Sequence, residues 1–342
     1  MAAPGGFASD ASATLPRGRS GSCHRRLDRQ WRRKAIGIRA PAAAPRASFP
    51  SRVPAAGAAR RVGEARWSSV WGVVTVGELA PLLLAQELAY IEVPVDQEEY
   101  RRRSRYDAER SLAITDVVAA GSPRRILEIG VGYLNLILTL RRVLGDTVEL
   151  SGVEHPGRRY LDDPKFQSEV VALNVDLRAC DIVKDPFPFP EQSFDVVLFS
   201  EIIEHLSPAA VPEVLSRLRG LVAPDGRIVV SSPNLAAFFR IASLAFGNGH
   251  VMDTPADVAY HPGVYGHMRL YARSDIYRLA AHAGLRVADW RWLEWDRGSI
   301  DRSTARGKFL YGGQAIASRL VRRWSGAWVC ALEVPRVFRH TR

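Results

Sequence analysis

Cysteine is scarce: Cys23, Cys180 and Cys330 are all there are in 342 residues. An odd number at wide spacing makes neither a disulfide framework nor a zinc pattern, and it suits a reducing compartment. Long apolar runs are missing too. The best candidate, Val70 to Leu84, contains Glu78 and Pro81 and is too short to span a bilayer, so a soluble, cytoplasmic protein is expected. No internal repeat is visible. Net positive charge is nearly missing from most of the chain despite a total of +11: residues 1–80 hold 14 Lys and Arg against 4 Asp and Glu, and the remainder holds 33 against 32. A nucleic-acid binder would carry a basic patch on its fold, so nucleic acid is not the expected partner.

What is present divides into a tail and a body. Residues 1 to about 66 are rich in Ala, Pro, Gly, Ser and Arg without a sustained period. Such a segment buries too little apolar surface to offset its ordering entropy, and disorder is expected. Three readings of it stay open: an organellar transit peptide, a basic arm for nucleic acid or membrane, or an upstream extension without function. The bias of 43 Arg against 4 Lys is what a GC-rich genome produces without selection. Residues 67–94 read as a linker or N-terminal helix. From 95 to 342, 47% hydrophobic content chain-wide supports one α/β domain.

Within that body, a helix is expected from near Asp96 to a stop at Gly121. Short apolar runs then alternate with helical patterns. Strands are expected over Arg124–Gly132, Val148–His155, Val175–Val183, Phe194–Ile203 and Arg227–Asn234. A helix follows the first strand and ends at Gly145. Another precedes the fifth strand and closes on the Pro224-Asp225-Gly226 turn. After Asn234 come an apolar helix, a Gly- and His-containing loop, a helix stopping at Gly284, and two last strands, the final one over Ala327–Val337. The pattern implies βαβ units and a doubly wound, mostly parallel seven-stranded sheet.

The chemistry gathers at the carboxyl ends of those strands, where an open α/β sheet places its ligand. Gly130 and Gly132 allow a sharp turn and close approach of backbone to ligand. A dinucleotide fingerprint would set its third glycine on Asn135, so a pyrophosphate cradle is not expected. Instead three acids surround the loop. Glu128 precedes it and would repel phosphate but welcome a cationic group. Glu154 closes the second strand and can accept both hydroxyls of a ribose. Asp181, near the end of the third strand, can accept from an adenine amino group. Cys180 is expected in the core. The acids and the absent cradle together match S-adenosyl-L-methionine.

These stretches resemble a class I S-adenosylmethionine-dependent methyltransferase, of the group that includes the ubiquinone-biosynthesis enzymes. Residues 127–134, LEIGVGYL, are similar to the family's D/E-x-G-x-G-x-G loop, with Leu134 in place of its last glycine. Residues 185–206 and 221–234 resemble two further family segments, with Asp225 replacing a glycine in the second. The resemblance spans about residues 95 to 295. It implies that Glu154 meets the ribose, that Asp181 and Ile182 form the adenine-contacting pair, and that Ser200 joins the cofactor set. It also implies a substrate cover over about residues 235–272.

Residues 201–205, EIIEH, are the second informative stretch. Two carboxylates and an imidazole, Glu201, Glu204 and His205, are suitable ligands for Mg²⁺ or a similar ion. In related O-methyltransferases the matching residues bind a metal that orients the acceptor hydroxyl and lowers its pKa. Two other readings stay open, His205 as general base and His205 as a structural residue at a helix entry. His267 and Arg269 lie on the expected cover, and relatives acting on glycans carry a similar G-H-x-R-x-Y. His267 could equally brace the helix that follows, and His250 and His261 read as loop residues. Arg105 and Tyr106 are candidates to cover the methionine end of the cofactor. The expected acceptor is a small molecule, a glycan or a quinone-like compound, methylated on oxygen with Glu204, His205 and His267 as catalytic candidates. The rivals are a non-catalytic adenosine-binding module and an RNA 2′-O-methyltransferase that uses the basic tail.

Overall fold

The computed structural model describes residues 74–90, 97–247, 266–294 and 304–335, all within the unit Ala59–Arg342. The tail expected over residues 1–66, Asp96, His250, His261 and the cover residues 248–265 lie outside the described residues. Helix α1 (Val76–Leu88) begins with a capping box: the Glu78 amide donates to Thr75 Oγ1 at 3.3 Å, and the Thr75 amide to Glu78 Oε2 at 2.8 Å. Helix α2 (Gln97–Ala119) packs against α1 and leads into β1 (Arg125–Ile129). Then follow α3 (Asn135–Leu144), β2 (Glu149–Glu154), α4 (Pro164–Ala172), β3 (Val175–Ala179), β4 (Phe194–Ser200), α5 (Val211–Leu221), β5 (Val222–Pro233), α6 (Phe238–Ala245), α7 (Arg273–His282), β6 (Arg286–Leu293), α8 (Ala305–Leu320) and β7 (Ala327–Glu333).

The seven strands form one sheet in the order β3-β2-β1-β4-β5-β7-β6. Strands β1 to β5 pair in parallel. Strand β7 runs antiparallel to both β5 and β6, so the sheet is mostly parallel with an antiparallel edge. Sequence order reverses between β1 and β4, which opens the crevice used by ligands of such sheets. On one face Ile126, Val196, Leu198 and Val229 pack with Leu79, Leu112, Ile137 and Phe166 of the first four helices. On the other, Leu127, Ile129, Val197, Phe199 and Val230 pack with Leu215, Leu218, Ile276 and Ala280 of α5 and α7. Strand side chains alternate between faces, so Glu128 shares the first face with Ile126, beneath α2.

Three details differ from the sequence expectation. The Pro224-Asp225-Gly226 segment is part of β5, whose Val222 already pairs with Phe194 before a register shift. Gly226 is needed there, because a Cβ would meet the Asp195 carbonyl oxygen at 2.6 Å. Helices α4 and α8 were not foreseen. Helix α8 packs on α6 around Ala237, Phe239 and Leu310, and three glycines, Gly307, Gly312 and Gly313, mask its helical period.

Candidate active site

Strand β1 ends in the glycine loop, and each position there has a separate physical requirement. Gly130 has φ +74°, and a Cβ on it would meet Ile202 Cδ1 at 2.4 Å, so the close approach is to a core side chain. Gly132 has φ +52° with nothing within 4 Å of a Cβ, so only its backbone conformation demands glycine. Its amide donates to Glu154 Oε2 at 2.9 Å. Leu134 stands where the family pattern has glycine and adopts the left-handed conformation all the same, at φ +64°. Its side chain is fully buried. The loop therefore keeps a glycine-like backbone, and core packing of leucine offsets the local strain. Leu134→Gly is expected to relieve about 1 kcal/mol of left-handed strain but to forfeit a buried side chain worth about 2–5 kcal/mol. The net expectation is a loss of about 2–3 kcal/mol in urea unfolding, and an unchanged or raised stability would refute this balance.

A cavity of about 590 Å³ opens beside this loop, lined by Glu128, Gly130, Gly132, Glu154, Asp181, Ile182, Ser200, Glu201 and His205. The structure thus brings the candidate cofactor residues to one space. Glu128 is buried and its Oε2 has no hydrogen-bond partner. Burial, and secondarily the charge of Glu154, push its carboxyl well above the ordinary range, with Arg110 opposing. Glu154, buried at the end of β2, also accepts from the His155 amide at 2.8 Å and lies 3.7 Å from Arg158 Nε. Asp181 is held by Lys184 Nζ at 2.7 Å and by the Val183 amide at 3.1 Å. Burial opposes its ionisation, but these two bonds and the Lys184 charge outweigh it and hold its pKa below the usual value. Ser200 Oγ lies 2.8 Å from Ser231 Oγ, which donates to Glu201 Oε1 at 2.7 Å. Ser231 has one proton and gives it to the carboxylate, so Ser200 is the donor to Ser231.

The raised Glu128 pKa has a consequence for stability. The folded state keeps this proton after the unfolded chain has lost it, near pH 4.5. Between that pH and the folded value the native state binds more protons, so stability falls as pH rises. Glu128→Gln cannot ionise. It is expected to flatten the fall in Tm of ligand-free protein between about pH 5 and 8, by a few degrees for about 1 kcal/mol. A slope as steep as the native protein's would contradict this; some slope remains, because Glu204 is shifted the same way.

At the far end of β4 the backbone turns sharply. Glu201 has φ +56°, a costly conformation for a non-glycine residue. Its carboxylate is held by Ser231 and lies 3.7 Å from Arg110 Nη1. A short 3-10 turn, Ile203–His205, follows. The Glu204 carbonyl accepts from the Met268 and Arg269 amides at 2.8 and 3.2 Å, which ties the described part of the cover to this turn. His205 Nδ1 lies 3.2 Å from the Gly266 carbonyl. A carbonyl can only accept, so Nδ1 carries the proton and the neutral ring keeps its basic lone pair on Nε2. That nitrogen is 4.0 Å from Glu204 Oε1, and the His267 ring is centred 5.0 Å from the His205 ring. Glu204 is buried, and neither of its oxygens has a hydrogen-bond partner. The neighbouring Ser232 hydroxyl instead donates to the Pro233 carbonyl at 3.4 Å. Burial, then the Glu201 charge, raise the Glu204 pKa well above the ordinary range.

The expected metal set is rearranged by this geometry. Donor atoms of Glu204, His205 and His267 lie within 4.8 Å of one another, and Glu201 is not among them. Its tie to Ser231 and its ion pair with Arg110 draw it into the wall of the cavity. Two imidazoles and one carboxylate are a poor match for Mg²⁺, which takes oxygen ligands.

The sequence reading missed part of the wall. Glu87 of α1 and Arg103, Arg110, Ser111 and Ile114 of α2 line the cavity. Glu87 accepts from Asn135 Nδ2 at 3.1 Å, and burial, then the charge of Asp107, raise its pKa. Arg110 pairs with Asp107 at 3.2 Å. Arg105 and Tyr106, the residues chosen from this helix, are elsewhere. Arg105 is largely exposed beside Glu109, and the Tyr106 hydroxyl lies 3.4 Å from that of Tyr311. Helical spacing was the available signal, since positions 103, 107, 110, 111 and 114 share one face.

Residues 99–289 match the family model described as a methyltransferase domain, more than half of the chain. A methyltransferase of Strobilurus tenacellus is 31% identical over 153 residues, covering 43% of this chain and 49% of the relative. A highly reducing polyketide synthase of Aspergillus nomiae is 35% identical over 130 residues, 34% of this chain and 5% of that protein. The chain thus spans half or less of the curated relatives it matches. Among solved structures, magnesium protoporphyrin IX methyltransferase of Synechocystis, with bound S-adenosylhomocysteine, is similar at TM-score 0.45 and 14% identity. The match covers 75% of this chain and 97% of that one. A Burkholderia thailandensis 1,6-didemethyltoxoflavin-N1-methyltransferase, also with S-adenosylhomocysteine, is similar at TM-score 0.42 and 14% identity, covering 76% and 91%.

Proposed function

The chain belongs to the methyltransferase-domain family, and we propose that it is a class I S-adenosylmethionine-dependent enzyme that methylates a hydroxyl of a small-molecule, glycan or quinone-like acceptor with His205 as the base. The observation that carries this reading is the acid-lined cavity that His205 borders. S-adenosylmethionine held by Glu154, Asp181 and Ile182 would supply a sulfonium-borne methyl group to the acceptor oxygen, with S-adenosylhomocysteine as the thioether leaving group.

The chain's own residues hold the two reactants at attack distance, where most of the rate advantage arises. Glu154 receives the ribose hydroxyls, Asp181 and Ile182 the adenine, and Ser200 borders the same space. Gly130 and Gly132 hold the turn of the loop that borders the ligand. Glu128, buried without a partner for Oε2, gains a compensating cation when the ligand's ammonium or sulfonium arrives. His205 Nε2 takes the acceptor proton. Burial, then the Glu201 charge, raise the Glu204 pKa, which weakens the carboxylate charge beside the ring. His267 flanks the ring and offers a second polar contact to the acceptor. No step is routed through magnesium, given the two-imidazole donor set.

The test is a titration calorimetry measurement of S-adenosylhomocysteine binding, followed by transfer of isotope-labelled methyl to phenolic, glycan and amine acceptors. Micromolar binding with transfer to hydroxyl acceptors is the expected result. Transfer to amines alone would remove the oxygen assignment and leave the cofactor site standing.

A further inference from the structure

Helices α6 and α8 pair antiparallel at the carboxyl edge of the sheet. The Phe239 amide, at the start of α6, donates to Gln314 Oε1 in the second half of α8 at 3.1 Å. At the other end the Arg306 guanidinium lies over the Phe246 ring, 5.7 Å from its centroid. The pair buries Ala237, Phe239 and Leu310 between its members, yet it leaves a second apolar surface in the open. Phe309, Ile316 and Leu320 of α8 are 60%, 62% and 78% exposed. Their spacing of seven and four residues puts them on one helical face. Ile241 and Leu244 of α6, three residues apart, and Phe246 just beyond it are exposed as well. Single exposed apolar residues are ordinary, but six on two paired helices mark an interaction surface.

Charge identifies the partner. Arg306 and Lys308 stand at one end of α8, and Arg319, Arg322 and Arg323 at the other. No acidic residue occurs between Asp301 and Glu333, and none within α6. This contrasts with the near-neutral balance of the body as a whole. Among the described residues, none of these five cations forms an ion pair. Apolar side chains flanked by basic ones are the signature of a helix lying in the interface of an anionic bilayer. The aliphatic side chains of Ile241, Leu244, Ile316 and Leu320 offer nothing to the phosphates or base edges of a nucleic acid.

We infer that the α6–α8 face docks this protein on an anionic lipid bilayer. The helix pair is anchored to the end of β5. Helix α6 begins shortly after Pro233, the end of β5, and Asn234 Nδ2 donates to the Arg323 and Ser325 carbonyls at 3.0 and 2.8 Å. The inference needs no particular acceptor and goes beyond the proposed reaction.

The test is co-sedimentation of the full chain with vesicles of phosphatidylcholine alone and of phosphatidylcholine mixed with phosphatidylglycerol. The basic segment 1–66 stays in place, so it is the same in every comparison. The native protein is expected to bind the anionic vesicles preferentially. Phe309→Ser, Ile316→Ser and Leu320→Ser combined keep every charge and are expected to weaken binding about ten-fold or more. Arg319→Glu with Arg322→Glu should abolish the preference for anionic lipid. Melting temperature and S-adenosylhomocysteine affinity should be unchanged in both, since these side chains are exposed. Equal binding by the triple-serine variant would assign the attraction to the tail's charge and overturn the inference. So would a native protein that ignores both vesicles, or one that forms a dimer, seen by analytical ultracentrifugation, that the serines dissociate.

Discussion

Replacing His205 by alanine is expected to lower kcat by about 10²–10⁴, the range for removal of a general base, with S-adenosylhomocysteine affinity within about three-fold of native. The expectation rests on tautomer and position. The Gly266 carbonyl fixes the proton on Nδ1 and leaves Nε2 as the basic atom. That atom faces the buried Glu204 carboxyl at 4.0 Å, in a turn tied by two backbone hydrogen bonds to residues 268 and 269. Loss of the imidazole removes the proton acceptor while the glycine loop and its acids stay in place. The ratio of kcat to KM effects separates this role from a merely positioning one. A rise in acceptor KM at native kcat would mean that the ring only orients the acceptor. An unaltered rate would leave the base unassigned and return His205 to a structural role at the turn.

Glu154→Ala is expected to weaken S-adenosylhomocysteine binding by at least about 100-fold. Each hydrogen bond to an ionised acceptor contributes about 1.5–3 kcal/mol, and two ribose hydroxyls together give about 3 kcal/mol, a factor of roughly 10². The same change releases the Gly132 amide, now held at 2.9 Å, so the loop loses an anchor as well. Glu154→Gln keeps the shape and one acceptor oxygen, and an intermediate loss is expected. Calorimetry decides the matter, with melting curves confirming that both variants fold. An affinity within about three-fold of native would mean that Glu154 serves only to brace the loop, as its two backbone bonds would allow.

Much of this architecture is legible one-dimensionally because its signals are local. Parallel strands buried on both faces read as short apolar runs, and β1, β2, β4 and β5 do so. The start of α1 is written in Thr75 and Glu78, and that of α4 in Asp163, whose carboxylate accepts from the Lys165 amide at 2.8 Å with Pro164 behind it. The latter was overlooked although its cap is in plain view. Helix α8 is a different matter. Its glycines depress helix propensity, and it forms because Leu310 and Gln314 find partners on α6 and at Trp324.

The candidate site divides along the same line. Glu128, Gly130, Gly132, Glu154 and Asp181 could be named from the sequence, because each lies at or just beyond a strand end and strand ends converge in this sheet. Their convergence on one cavity follows from that topology. Glu87 could not be named, since the packing of α1 brings it to the cavity from some forty residues before the glycine loop, and the helical spacing that includes Arg110 marks a shared face without saying what it borders. The exchange of Glu201 for His267 beside Glu204 and His205 was equally hidden. It depends on a loop that returns after some sixty residues and on an arginine that claims Glu201. The succession of strands and helices, the glycine turn and the acids that edge it are readable in the chain, because all are set by neighbours a few residues apart. The direction in which each carboxyl pKa is shifted follows from the tertiary packing, because burial and the approach of distant charges, not residue type, control it.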